Sequence, residues 1–115
     1  MEKAYTELNA KLCAFLDKTP NSFFAVKNIK EELAAAGFAE LQENSRWQLQ
    51  AGGKYYVSRN GSALLAFAIP QKDYLGFQVY ACHCDSPAFK LKNNSEIVVD
   101  NKYVKLNVEK YGGML

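Results

Sequence analysis

The chain has 115 residues, 49% of them hydrophobic, and fourteen basic against twelve acidic side chains leave a net charge of +2. That charge is too small, and the basic residues too scattered, for a nucleic-acid partner, and no run approaches the roughly 18 apolar residues of a membrane span. An N-terminus that carries acid from Glu2 and lacks an apolar signal core, with three cysteines in no framework spacing, predicts a reducing, cytoplasmic setting.

Residues 2 to 18 place Tyr5, Leu8, Leu12, Phe15 and Leu16 on one stripe, which predicts an amphipathic helix ended by Thr19-Pro20. Asn21 or Ser22 offers a cap for a second helix, in which Val26, Ile29 and Leu33 recur at helical spacing up to a left-handed stop at Gly37. Both helices read as elements that pack on a core. Gly52-Gly53 marks a turn, and Lys54 to Arg59 and Ser62 to Ile69 flank Asn60-Gly61, the pair best suited to a hairpin turn that needs positive φ at both central residues. Phe77 to Cys84 is apolar or aromatic apart from Gln78 and His83, with no breaker before Pro87, and predicts a buried strand. Phe89 to Lys92, Glu96 to Val99 and Tyr103 to Glu109 predict three more short strands, separated by turns at Asn93-Asn94-Ser95 and Asp100-Asn101.

The expected class is mixed α/β: two N-terminal helices followed by about six short strands. That inventory is unusual for a whole domain. Leu64 to Ile69 is apolar throughout, which calls for cover on both faces, yet only two helices are available and both precede the sheet. The expectation is therefore an incomplete part of an α/β domain over residues 1–115.

The Phe77–Pro87 stretch holds the single histidine and two of the three cysteines. On a strand, Val79, Ala81, His83 and Asp85 share one face, while Tyr80, Cys82 and Cys84 share the other. Three chemistries compete there. His83 can ligate zinc while Asp85 holds the imidazole or joins the ligation. A zinc site using both cysteines is disfavoured, because Cys82 and His83 face opposite ways and Cys-x-Cys lacks the usual longer loop. A Cys–His nucleophile pair meets the same geometric objection. A plain alternative is a core histidine satisfied by an aspartate, with the cysteines filling small gaps.

Five blocks in order resemble one family. They are Thr19-Pro20 before Asn21 to Val26; Gly37-Phe38; Leu41 and Trp47 through Gly53 to Tyr56; Arg59-Asn60 with Ala66-Phe67; and His83-x-Asp85-Ser86-Pro87 followed by Val108-Glu109-x-Tyr111-Gly112-Gly113. The chain resembles the N-terminal part of an aspartyl aminopeptidase, the dinuclear zinc exopeptidases that include the vacuolar aminopeptidase I type. The resemblance implies a metal-ligand role for His83 and, in the catalytic set, an orienting role for Asp85. It implies removal of N-terminal, acidic residues from peptides, with two zinc ions acting on a bridging water and a general-base glutamate outside this stretch. It also implies a homo-oligomer.

Three positions depart from the family pattern. Phe24 stands where histidine is common, Cys84 where threonine is usual, and Met114 where a third glycine is expected. One histidine cannot hold catalytic zinc, so the chain alone is expected to be inactive. A non-catalytic module that associates with itself or a partner through uncovered sheet edges is the alternative. Arg59, Lys90 and Lys92 are available to select an acidic substrate, although solvated surface is the ordinary fate of such groups.

Overall fold

A computed structural model of the protein describes residues 2–113; the departure at Met114 lies outside them. The chain divides into two compact units, Met1–Asp85 and Ser86–Leu115.

The first unit opens with α1 (Glu2–Asp17) and α2 (Ser22–Ala35). The expected signals operate at both junctions. The Thr19 hydroxyl donates to the Phe15 carbonyl at 3.0 Å, and the Asn28 side chain of α2 donates to the Lys18 carbonyl at 2.9 Å. Asn21 caps α2, its side-chain oxygen accepting from the Phe23 and Phe24 amides at 3.1 Å each. At the other end Gly37 has φ 81°, the Gly37 amide bonds the Ala34 carbonyl, and the Phe38 amide bonds the Leu33 carbonyl. Those paired bonds satisfy carbonyls that a helix end otherwise leaves open. Asn21→Ala is expected to cost about 1 kcal/mol, read as a lower denaturant midpoint by circular dichroism.

Three strands follow in the order β1 (Ala39–Glu40), β2 (Lys54–Arg59) and β3 (Ala63–Ala68), with β1 parallel and β3 antiparallel to the central β2. The β2–β3 turn is the expected one, with φ 52° at Asn60 and 66° at Gly61. The core is small: Ala25 and Val26 of α2, and Tyr55, Tyr56 and Val57 of β2. Central position explains why three consecutive residues of β2 are buried, since both its faces are covered. On the α2 side, Lys30 Nζ lies 5.9 Å from the Tyr56 ring centre and 2.5 Å from Glu40 Oε1, and the Tyr56 hydroxyl donates to Glu40 Oε2 at 3.4 Å. On the opposite side Tyr55 and Phe67, directly opposed in register, stack at 5.7 Å, and Trp47 adds a second ring 6.2 Å from Phe67.

Gly53 belongs to this cluster for steric reasons. A Cβ at position 53 would overlap the Tyr55 phenol ring, which folds back over it. Gly53→Ala is therefore expected to destabilise the unit by about 1–3 kcal/mol, because the ring must leave its place against Phe67. Thermal unfolding followed by Trp47 fluorescence tests this.

Two expectations for this unit need correction. The α1 stripe does not reach a core: Tyr5, Leu8, Leu12 and Leu16 are all more than half exposed. Helical periodicity shows which face is apolar, but whether it is covered depends on what else the chain places there. The predicted strand Phe77 to Cys84 is absent as well. That stretch is irregular and exposed, and β3 has β2 as its one neighbour among the described residues. Apolar, β-prone composition favours extended backbone, but a strand exists only where a second strand supplies the hydrogen bonds.

The second unit is a long hairpin of β4 (Ala88–Val99) and β5 (Tyr103–Tyr111), antiparallel and joined through Asp100 and Asn101, both at positive φ. The two short runs expected around Asn93-Asn94-Ser95 are one strand. Leu91 pairs with Val108 and Glu96 with Leu106, so residues 92–95 oppose Asn107 alone. The polar triplet bulges out instead of reversing the chain, and Asn107 Nδ2 donates to the Asn94 carbonyl at 2.9 Å across the bulge. Among the described residues there are five strands, the unexpected two-residue β1 included, where about six were expected.

Candidate metal site

His83 sits in the irregular stretch, its side chain 83% exposed, with Asp85 less so at 43%. The half-buried Cys84 thiol donates to the Ser62 carbonyl at 3.2 Å, while the side chains of His83 and Asp85 meet each other. Cys82, expected to pack on the same side as Cys84, is exposed instead, because no strand covers that part of the stretch.

The geometry of the pair is specific. His83 Nδ1 lies 3.1 Å from Asp85 Oδ1 and 2.9 Å from the Asp85 carbonyl oxygen. A ring nitrogen facing two acceptors satisfies them only as a donor, so Nδ1 carries the proton. In the neutral ring the lone pair then falls on Nε2. This is the tautomer a histidine uses to bind a metal through Nε2 while a carboxylate fixes its direction.

The structure does not gather further donors. Among the described residues no group of three or more His, Cys, Asp and Glu side chains could hold an ion. Arg59, at the end of β2, is engaged by Glu43: Nε donates to Oε1 at 2.8 Å, and Nη2 reaches the same oxygen. Lys90 and Lys92 stand on β4 in the second unit. Glu43 and the Ser62 carbonyl drew no notice in the sequence, because their roles depend on partners sixteen and twenty-two residues away.

The Arg59 hydrogen bond and charge hold the Glu43 carboxyl below the ordinary carboxylate range, and Glu43 in turn raises Arg59. The linkage has a definite sign. A depressed folded pKa contributes stability that is present above the unfolded carboxylate value and lost as pH falls through the folded one. The pair is open to solvent, so the effect is small. Glu43→Gln is expected to flatten the acid limb of the stability profile, and an unchanged limb in urea titrations at several pH values would refute the assignment.

The sequence profile of the family described as "Aminopeptidase I zinc metalloprotease (M18)" matches residues 15–115. The chain belongs to that family. Among curated M18 relatives, a probable M18 family aminopeptidase 2 of Clostridium acetobutylicum is 45% identical over 109 residues, covering 93% of this chain and 25% of the relative. The one from Pseudomonas paraeruginosa is 41% identical over 111 residues, covering 95% and 26%. Solved structures agree on the fold. The chain matches one chain of a cryo-EM structure of the Ape4 and Nbr1 complex at TM-score 0.82 and 38% identity, over 87% of this chain and 20% of that one. It matches the yeast aminopeptidase 1 crystal structure at TM-score 0.79 and 28% identity, over 96% and 26%. A structure of the S. cerevisiae mApe1 dodecamer matches at TM-score 0.79 and 28% identity, over 97% and 27%. This M18 chain thus spans about a quarter of the length of the curated relatives it matches. A mixed α/β partial domain is what both the sequence and the neighbours describe.

The M18 family is one of zinc enzymes by its description, and the residues present fit part of a zinc site. His83 has the right tautomer and an exposed Nε2 edge, and Asp85 supplies the carboxylate that holds it.

Proposed function

We propose that residues 1–115 form the N-terminal portion of an M18 aminopeptidase catalytic domain and one wall of its zinc site. His83 is a ligand through Nε2, and Asp85 is the carboxylate that orients it. The single observation behind this reading is the 3.1 Å approach of His83 Nδ1 to Asp85 Oδ1. Bound zinc supplies an acidified water and a polarised scissile carbonyl. The chain's own residues do the preparatory work. Asp85 accepts a hydrogen bond from Nδ1–H and selects the ring's direction, and His83 offers the Nε2 lone pair to the ion. The parent enzyme is proposed to use two zinc ions, to release N-terminal acidic residues from peptides, and to act in the cytoplasm as a homo-oligomer. A neighbouring structure that is itself a dodecamer supports the last point.

The chain alone supplies too few ligands for such a site and is proposed to be inactive. Incubation of the purified chain with zinc and chromogenic amides of aspartate and glutamate should release no product. Release that His83→Ala abolishes would overturn the inactivity. Grafting residues 1–115 in place of the matched quarter of the Clostridium acetobutylicum relative tests the site. In that enzyme Asp85→Asn is expected to lower kcat/KM or zinc affinity by about 10–100-fold.

A self-associating module is the second reading, favoured by the bare apolar side chains of Phe77, Val79 and Tyr80, each at least 76% exposed. Sedimentation velocity decides it: a chain that stays monomeric across a wide concentration range excludes that role.

A further inference from the structure

We propose that Cys84 is a positioning residue, whose thiol, held against the β2–β3 turn, orients the His83–Asp85 pair. The inference rests on the proposed roles of those two residues. Cys84 Sγ donates to the Ser62 carbonyl at 3.2 Å. Ser62 directly follows the Asn60-Gly61 turn, and its own amide bonds the Arg59 carbonyl at 3.2 Å, so the acceptor is presented by an ordered element. Cys84 stands between the two members of the pair, so holding its side chain against the turn restrains the backbone from which His83 and Asp85 both project, and with it the approach of Nδ1 to Oδ1. No sheet ladder imposes this, since Phe77 to Pro87 carries no strand pairing in the described structure. An exposed stretch with so few buried contacts opens readily unless something holds it. A pair two residues apart survives only in backbone states that keep both on one side. A thiol is a weak donor, so the effect is graded and not absolute.

The protein has one histidine, so its imidazole nitrogen signals report this pair without ambiguity. In the 115-residue chain, at a pH where the ring is neutral, nitrogen-15 NMR should find the Nδ1–H tautomer in excess. Cys84→Ala is expected to lower the ratio of Nδ1–H to Nε2–H about two- to fivefold. Cys84→Thr, which places an O–H donor at the same position, should return it toward wild type. An unchanged ratio in the alanine variant, or a threonine variant no better than alanine, overturns the positioning role. Asp85→Asn separates this from the reading beneath it. If that variant leaves the ratio untouched, the His83–Asp85 pairing itself fails. If the ratio collapses with Asp85→Asn but holds with Cys84→Ala, the pairing stands and the role of Cys84 falls.

Discussion

His83→Ala in the grafted Clostridium acetobutylicum enzyme should reduce peptide hydrolysis by about a thousandfold or more. A ligand loss weakens the ion's hold and its stabilisation of charge in the transition state, terms worth several kcal/mol, and each 1.36 kcal/mol is tenfold in rate. The exposure of His83 makes the test clean. The ring is 83% open to solvent and its contacts to Asp85 are local, so its removal leaves the buried residues of α2 and β2 untouched. Zinc content and kcat/KM, measured on the same preparation with unchanged circular dichroism, check the result. A variant that keeps its zinc and its rate would remove His83 from the site altogether. His83→Gln should restore little, because its amide nitrogen offers no lone pair and its carbonyl oxygen suits zinc less well than an imidazole nitrogen.

The second large effect is structural. Tyr55→Ala is expected to cost about 3–5 kcal/mol, the range for deleting a buried aromatic side chain. Tyr55 is 9% exposed, stacks on Phe67 at 5.7 Å, and accepts the Gln50 amide on its hydroxyl at 3.0 Å. With a core of so few residues, that loss approaches the whole stability of a small unit, and the variant should be unfolded at room temperature. Tyr55→Phe isolates the hydroxyl, and its expected cost is about 1 kcal/mol, the net worth of one hydrogen bond. Urea unfolding followed by Trp47 fluorescence distinguishes the two, since Trp47 lies on the same ring cluster. An alanine variant that unfolds with the wild-type midpoint would show that these rings do not hold the sheet together.

What could be read from the residues themselves was local. Thr19-Pro20, the Asn21 cap, the Gly37 stop and the Asn60-Gly61 turn each act through backbone groups a few positions away, so their chemistry is complete in a short window. The closeness of His83 and Asp85 was legible for the same reason, because only one residue separates them. The family was legible because several such blocks fall in one order along the chain. Tertiary structure alone decided the rest. Among the described residues Phe77 to Cys84 has the composition of a buried strand but no strand paired with it, and the α1 stripe has the period of a packed helix but leaves Tyr5, Leu8, Leu12 and Leu16 exposed. Asn93-Asn94-Ser95 carries turn chemistry and became a bulge because β5 continues alongside it, with Asn107 bonding across. Arg59, expected on solvated surface, is exposed there but engaged by Glu43. In each case the deciding group is distant in sequence, so a short window of residues carries the propensity, and only the neighbour brought by the fold determines whether it is used.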